Sequence, residues 1–597
     1  MKEGTTKTTR EYFIERYGDE YLDKIKHLEA LIIELETGEH HFTVVGCEAG
    51  IGKSVETDRI ISEYINRHGN SGRKFLLVKR FVADINQSTH YINKNSTINE
   101  PIALGISHDN WKEIELKPEQ IPMYPVVIIT HSRYFRLSQE PNYRQYFERA
   151  RHTLIIDEQL DLPVYSFSGQ LFQEMYSSLP SHTLVTKLLA VCQGLFTEIT
   201  RLRHIKANNF ILKANPQVDI KLVKEFEDDY RANFYQFKNE SARSKVENFI
   251  KLLHSLQSNV CLYNNGRLST YNKFVDRWKL SNNLLLDANA GIDRRYKYAS
   301  DFVVDCPDKI IDHSGTTFHS VFFNTSKSNI GKVKDTYYDK VCGLIKQRHD
   351  PKDKTLIVTH YQHEKYLINS LRNHGVDRIG MGECSNHEEI SSAHFGAIIG
   401  QNHWRDFNKV WVIASPNLPM EVYPLHWAFF KQSPIRNHSL QMIASPGKYS
   451  FKNRAFEDIR HGCQVCEIYQ AIKRINREGH LTSEIYVVNK NKDILNEVIA
   501  QLKNVNVGEA MTLDVERPKD KKTTPAKENK TIQFVKFVKG LGPGNYKKQE
   551  IYNLLGWKSD GHLSDYLNDK AIQEMRQSGL IDWDHFTITI PPRTPDN

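Results

Sequence analysis

The chain has 597 residues, of which 39% are hydrophobic and 25% charged, and its formal net charge is +8. This composition excludes collagen-like and disordered classes, predicts about four domain-sized units, and is compatible with a polyanionic partner. The first twenty residues lack the apolar core of a signal peptide, no run is long enough to span a membrane, and the eight cysteines are too scattered for a disulfide framework, so we expect a cytoplasmic protein that does not bind membranes. Residues 1–38 are predicted to form an N-terminal helical segment, because their apolar residues recur at steps of three and four.

A phosphate-binding loop is predicted between a β-branched run at 41–45 and a helix that begins near Val55. Its residues are Cys47, Glu48, Ala49, Gly50, Ile51, Gly52, Lys53 and Ser54. Glycines let successive N–H groups face a phosphate, the lysine supplies a cation to the β- and γ-phosphates, and the serine supplies a hydroxyl for Mg²⁺. We therefore predict that this loop binds ATP and Mg²⁺, and a plain connecting turn is the alternative.

An acidic pair follows the last of three apolar runs, at 75–78, 126–130 and 153–156, which predict a parallel α/β sheet. Asp157 would hold Mg²⁺ through water, and Glu158 would orient or deprotonate the attacking water. The alternative is a surface acidic pair that opens a loop. Thr130 and His131, at the end of the second run, are assigned to nucleic-acid binding.

The run Asp157-Glu158-Gln159-Leu160 resembles the DExx box of superfamily 2 helicases, although Leu160 stands where that family has Asp or His. The resemblance implies an α/β fold with two RecA-like lobes, the first at 39–161 with 281–330 and the second at 331–505. Residues 162–280 are predicted to be a helical insertion similar to that of XPD and DinG helicases. Since this segment offers only Cys192 and Cys261, no iron–sulfur cluster is expected there.

Three further stretches resemble helicase motifs. Asp287-Ala288-Asn289-Ala290 resembles motif III, with Ser314–Thr317 as a competing candidate. The strand at 355–358 ends in Thr359 and His360, as at motif IV, and a glycine-marked loop with Gly400 and Asn402 resembles motif V. The resemblance assigns these four residues to nucleic-acid binding, while ordinary loop chemistry would explain the glycines equally well.

Gln470, Arg474 and Arg477 lie at i, i+4 and i+7, which predicts one face of a helix at 468–477. They match motif VI, whose arginines reach across the cleft to the γ-phosphate, so the resemblance makes all three catalytic. A solvated arginine face is the alternative. Cys463 and Cys466, just upstream, are interpreted as two partly buried thiols rather than as a zinc site.

The C-terminal end is predicted to be a separate module. Residues 506–530 are polar and charged and predict a linker, and residues 531–597 suggest three short helices and a hairpin, which resembles a winged helix. Lys547, Lys548 and Lys558 would form its basic edge against nucleic acid. A protein-binding or dimerising module is the alternative.

These observations predict an ATP-dependent helicase or translocase that acts on DNA in preference to RNA and moves along a strand. The alternatives are a nucleic-acid-stimulated remodeller that does not unwind and a P-loop nucleotide switch of the signalling type. A similarity to helicases of phages and mobile elements implies partner proteins of DNA replication or of mobile elements.

Overall fold

The computed structural model forms two compact units, residues 1–514 and 515–597. It describes residues 8–592 except 109, 116, 161, 206–209, 213–214, 258–259, 273–276, 377, 382–389, 399, 402, 436–437, 446–447, 478, 480, 517–533, 536, 539, 555–566, 568–569 and 585. Helices and strands are numbered below in chain order. Among the described residues, no helix combines the length and the apolar character needed to cross a membrane.

The first lobe is a seven-stranded parallel sheet covered by helices. Its helices are α1 Thr9–Ile33, α2 Lys53–His68, α3 Val82–Lys94, α4 Trp111–Glu115, α5 His131–Leu137 and α6 Pro141–Glu148. Its strands are β1 Phe42–Val45, β2 Phe75–Lys79, β3 Ala103–Ile106, β4 Val126–Thr130, β5 Thr153–Asp157, β10 Asn282–Leu286 and β11 Phe302–Asp305. The spatial order is β11-β1-β10-β5-β2-β4-β3, so β10 lies beside β1, the strand that leads into the phosphate loop, and β5 is the next strand after β10. The strands β1 and β2 are mostly apolar and buried along their whole length because both faces of a parallel sheet are covered.

An insertion between β5 and β10 has a hydrophobic core of its own. It contains β6 Val164–Ser168, α7 Gly169–Tyr176, α8 His182–His204, β7 Phe210–Ile211, α9 Ile220–Ala232, α10 Glu240–Leu256, β8 Leu262–Asn264 and β9 Arg267–Tyr271. The strands form an antiparallel sheet in the order β6-β9-β8-β7. The insertion is largely helical, as predicted, but it also contains a small antiparallel sheet that was not predicted, with strands such as Val164–Ser168, whose burial alternates along the chain.

The second lobe is another seven-stranded parallel sheet, in the order β14-β15-β13-β16-β19-β12-β20. Its strands are β12 Thr316–Phe322, β13 Thr355–Thr359, β14 Ile379–Met381, β15 Ile390–His394, β16 Lys409–Val412, β19 Ser483–Val488 and β20 Asn506–Thr512, and the hairpin strands β17 Met442–Ser445 and β18 Lys448–Phe451 lie outside the sheet. Its helices are α11 Lys327–Lys332, α12 Lys334–Arg348, α13 Glu364–Asn373, α14 Val422–Lys431, α15 Arg454–Ile472 and α16 Lys492–Ile499.

The boundaries of the second lobe differ from the predicted ones. β12 belongs to the second sheet, so the lobes divide between Asp305 and Thr316 and not at residue 330. β20 pairs with β12, and the lobe therefore continues to Thr512, into the stretch predicted to be a linker. The sequence signal was weak there because β20 is an edge strand whose residues are mostly exposed.

The C-terminal unit contains β21 Gly544–Lys547, α17 Lys548–Leu554, α18 Lys570–Gln577, β22 Asp582–Trp583 and β23 Thr587–Ile590. The strands form an antiparallel sheet in the order β21-β23-β22, and β21 was not predicted. A small core that includes Phe534, Ile551, Ile572 and Ile588 holds the unit together. The winged-helix interpretation stays a prediction.

Candidate active site

The phosphate loop joins β1 to α2. Gly50 and Gly52 have φ angles of 98° and 85°, in the left-handed region that favours glycine, and Gly52 is the N-cap of α2. The Lys53 ammonium donates to the backbone oxygens of Cys47, at 2.5 Å, and Glu48, at 3.2 Å. Burial lowers the pKa of Lys53. The lysine therefore lies inside the curve of the loop, where a phosphate would meet it.

Not every residue of the predicted loop faces that space. Glu48 is 4% exposed, and its Oε1 accepts hydrogen bonds from the backbone N–H groups of Ile310, at 2.7 Å, and Ile311, at 2.9 Å. These two residues belong to the segment between β11 and β12 that connects the lobes. Ala49 and Ile51 are buried, the former in the core of the second lobe and the latter in that of the first. The Glu48 carboxylate is used by the lobe connection, so only the backbone of Glu48 is left for the predicted nucleotide binding, which stays a prediction.

Asp157 lies at the end of β5 and contacts the phosphate-loop serine. Its carboxylate accepts a hydrogen bond from Ser54 and, at 2.9 Å, from the Lys79 ammonium. Burial alone would raise the pKa of Asp157, but the Lys79 charge lowers it below its ordinary value. A hydroxyl and a carboxylate are oxygen donors of the kind that Mg²⁺ prefers, so Ser54 and Asp157 fit the predicted metal.

Sequence reasoning missed Lys79. This side chain is 3% exposed, and its ammonium also lies 3.7 Å from Asp58 Oδ1, while Asp58 Oδ2 accepts a hydrogen bond from Ser88 at 2.6 Å. Burial would lower the pKa of Lys79, but Asp157 and then Asp58 raise it. The available signal was a lysine directly after the apolar run at 75–78, at the edge where a parallel sheet places its ligand-handling groups.

Glu158 adopts a left-handed backbone conformation, with φ of 69°, which is uncommon for a residue other than glycine. Its N–H donates to the Leu286 oxygen of β10 at 3.1 Å, and its carboxylate lies 3.7 Å from Arg80. Withdrawal from bulk water and then the Asp157 charge raise the pKa of Glu158 to about 7. A carboxylate with such a pKa is suited to accept a proton near neutral pH.

The motif III candidate at Asp287 lies at the same sheet edge, at the end of β10. Its carboxylate accepts hydrogen bonds from the Tyr296 hydroxyl at 2.7 Å and from the Asn289 N–H at 2.8 Å. Burial and then Asp293 raise the pKa of Asp287 to about 6. The competing candidate, Ser314–Thr317, leads into β12 of the other sheet, so Asp287 is the candidate that neighbours the loop.

The arginines of the motif VI candidate do not continue a helix. α15 ends at Ile472, so the prediction of one helical face for Gln470, Arg474 and Arg477 is wrong. Both arginines lie in the turns that follow, yet Arg474 Nη2 still donates to Gln470 Oε1 at 2.9 Å, and its Nη1 donates to the Gln401 oxygen at 3.3 Å. Arg474 is 3% exposed, and burial and then Arg477 lower its pKa to about 9.

Arg477 reaches the phosphate loop across the cleft between the lobes. A Cβ added to Gly50 would lie 3.1 Å from the Arg477 backbone oxygen and 3.7 Å from its Cβ. The Glu158 charge in turn acts on Arg474. The second lobe therefore meets the first at the phosphate loop, where the backbone of Arg477 lies against Gly50, and the Arg474 guanidinium is near enough to Glu158 for the two charges to affect each other.

The residues assigned to nucleic-acid binding do not form one open surface. Thr130 accepts a hydrogen bond from Arg133 N–H as the N-cap of α5, and His131 Nε2 donates to the Asp157 backbone oxygen at 2.8 Å. Thr359 is fully buried, and its hydroxyl lies 3.1 Å from that of Tyr338. His360 is 6% exposed. Thr359 and His360 therefore offer little surface to a strand, and their role in nucleic-acid binding stays a prediction.

The five remaining residues assigned to nucleic-acid binding belong to the glycine-marked loop and to the C-terminal module. Gly400 has φ of 74°, and a Cβ there would lie 2.9 Å from the Phe81 ring of the first lobe. In the C-terminal unit, Lys547 is exposed and Lys548 is half-buried. Asn402 and Lys558 lie outside the described residues.

Neither cysteine set suggests a metal centre. Cys192 and Cys261 are buried in the insertion core, and Cys463 and Cys466 are buried on α15. Among the residues that the structure describes, no group of three or more His, Cys, Asp or Glu side chains could hold a metal ion.

No protein-family model matches this sequence, and no curated protein matches it. Among solved structures, the apo form of XPD is 13% identical with a TM-score of 0.51, covering 82% of this chain and all of the other. A second XPD helicase structure is 13% identical with a TM-score of 0.51, covering 83% of this chain and 99% of the other, and Xpd4 of S. tokodaii is 12% identical with a TM-score of 0.47, covering 82% and 99%. The two parallel α/β sheets are thus RecA-like lobes, arranged in the fold of superfamily 2 helicases.

Proposed function

We propose that the protein is an ATP-driven helicase or translocase that hydrolyses Mg-ATP between its two lobes and moves along a nucleic-acid strand. The observation that carries this proposal is the approach of the second lobe to the phosphate loop, where the Arg477 backbone lies against Gly50 and the charge of Glu158 acts on the neighbouring Arg474. A site divided between two lobes allows hydrolysis to change their separation, and a change in separation can become a step along a strand.

Each side chain has a distinct task in this proposal. Lys53 and the loop N–H groups would hold the phosphates, and Ser54 and Asp157 would hold Mg²⁺, which supplies charge neutralisation between the β- and γ-phosphates when bound. Glu158 would take the proton of the attacking water, as its raised pKa permits. Arg474 and Arg477 would stabilise the charge that develops as the γ-phosphate leaves.

The first test measures the ATPase rate of the full chain alone and with single-stranded DNA, duplex DNA or RNA. We expect stimulation, greater with DNA than with RNA, together with displacement of a strand from a partial duplex. Stimulation without displacement would favour a remodeller that does not unwind. A rate unaffected by every nucleic acid would contradict the proposal and favour a nucleotide switch.

Lys53→Ala should lower the stimulated rate on the order of a hundredfold or more, because the loop loses its cation for the transferred phosphate. Lys94→Ala is the matched control, since Lys94 is an exposed lysine of the same lobe and should be neutral. A Lys53→Ala protein that turned over ATP at the control rate would place the reaction elsewhere.

A further inference from the structure

An exposed tyrosine stands at the carboxyl edge of the second sheet, where β13 ends. Tyr361 follows the buried Thr359 and His360 directly and is 75% exposed. Its ring packs edge-on against His394, at the end of the neighbouring strand β15, with 4.9 Å between ring centres. A large aromatic side chain left so open at the edge where parallel sheets bind ligands has a free face for a flat partner.

Hydrogen bonds hold in place the backbone that carries this ring. The Tyr338 hydroxyl lies 3.1 Å from Thr359 Oγ1 and 3.1 Å from His363 Nδ1, and all of these side chains are buried. The backbone on both sides of Tyr361 is therefore held in place. A preorganised aromatic ring loses little conformational freedom when a partner stacks on it.

Lysines lie on the elements next to Tyr361: Lys365 follows it in α13, and α12, which begins with Lys334, packs against the end of β13 through Tyr338. Lys327, Lys332 and Lys365 are exposed, and the Lys334 ammonium lies 3.4 Å from the ring centre of Tyr366, which is 44% exposed. Lys327 begins α11, two residues after Thr325, whose backbone hydrogen-bonds to His360 at the end of β13. Burial and then the charge of Lys327 lower the pKa of His360 to about 4.

The acidic side chains near Tyr361 neutralise little of the positive charge of these lysines. Glu364 accepts a hydrogen bond from Ser392 at 3.0 Å and lies 3.5 Å from His394, which draws its carboxylate towards the sheet. Asp335, on α12, is exposed. The surface thus presents aromatic rings within an excess of positive charge.

We propose that Tyr361 is a stacking platform for a base of single-stranded nucleic acid, with the neighbouring lysines, Lys327 first, on its phosphates. This combination of a flat ring and ammonium groups is what binds single strands irrespective of their sequence. The inference rests on the proposed function and assigns to the second lobe a contact with bases rather than with the backbone alone.

The test compares two strands of equal length, an ordinary single-stranded DNA and one that carries abasic sugars throughout. Binding to the full chain is followed by fluorescence anisotropy. Tyr361→Ala should weaken binding of the ordinary strand about tenfold, whereas Tyr361→Phe, which keeps the ring, should stay within about twofold of the wild type. All three proteins should bind the abasic strand equally.

Lys327→Ala is the complementary variant. It should weaken both strands to the same extent and reduce the dependence of affinity on salt, because a phosphate contact does not depend on the base. An equal loss for Tyr361→Ala on both strands, or a Tyr361→Phe protein as weak as Tyr361→Ala, would overturn the stacking assignment.

Failure of the platform and failure of the proposed function give different results. If the wild type binds the ordinary strand and Tyr361→Ala binds it equally well, the platform is wrong and the motor proposal stands. If the wild type binds no single strand at all, both are wrong.

Discussion

Lys79 places an ammonium group on the carboxylate that is proposed to hold Mg²⁺. A cation in contact with Asp157 keeps that carboxylate ionised within a buried site, and it also opposes the approach of a divalent ion. The two effects change the affinity for Mg²⁺ in opposite directions. The first orients the ligand, and the second weakens the metal site.

We expect repulsion to decide the metal affinity. Lys79→Met should lower the Mg²⁺ concentration needed for half-maximal binding of a fluorescent ADP analogue by about tenfold, since a positive charge leaves the site. Lys79→Arg keeps the charge and is the control. A higher Mg²⁺ requirement in Lys79→Met would mean that orientation of Asp157 is the larger effect.

Glu48 shows how a single side chain joins two elements. It stands in the phosphate loop, but its carboxylate holds the backbone of Ile310 and Ile311 in the connection between the lobes. The ammonium of Lys309, beside them, donates to the backbone oxygen of Gln501 in the second lobe at 2.7 Å. A movement of the phosphate loop on nucleotide binding would therefore also move the connection between the lobes.

Glu48→Ala should uncouple the loop from the connection. We expect nucleotide affinity to change little and strand-stimulated turnover to fall about tenfold, because two buried hydrogen bonds to a carboxylate are lost. Glu48→Gln retains an oxygen that can accept both bonds and should stay close to the wild type. Equal defects in Glu48→Gln and Glu48→Ala would attribute the effect to charge instead.

The sequence predicts the core elements well because their signals are local. Apolar β-branched runs such as Val126–Thr130 and the spacing of the phosphate loop need no distant partner to be recognised. The end of α15 could not be predicted in this way. Helical spacing continues past Ile472, but the backbone N–H of Asn476 donates to the Phe407 oxygen, and its side chain donates to the Leu481 oxygen.

The site was predictable to a similar degree. Lys53, Asp157 and Glu158 follow strands whose ends the sheet brings together, so motif and topology agree. The burial of Lys79 could not be predicted from its local sequence, because a lysine at the end of a strand is usually solvated. Tyr361 was missed because exposure is a property of the folded surface.

At the scale of the whole first unit, the insertion contacts the second lobe. On either side of the turn between β8 and β9, Asn264 Nδ2 donates to Glu421 Oε2 at 2.9 Å, and the Arg267 guanidinium lies 3.7 Å from Glu421 Oε1. Glu421 lies just before α14 and is 5% exposed. The insertion, which is part of the first lobe in the chain, is therefore held by a buried carboxylate of the second lobe. Relative motion of the lobes would strain this contact.

Glu421→Ala should release the insertion while the ATP site, built from other residues, stays intact. We expect single-strand-stimulated ATPase activity to stay within about twofold of the wild type and strand displacement to fall about fivefold, in proportion to the loss of a buried hydrogen bond. Glu421→Gln keeps an oxygen for Asn264 and should lose less. Parallel loss of both activities in Glu421→Ala would mean that the contact supports the catalytic arrangement of the lobes, whereas loss of displacement alone would identify the insertion as the element that separates strands.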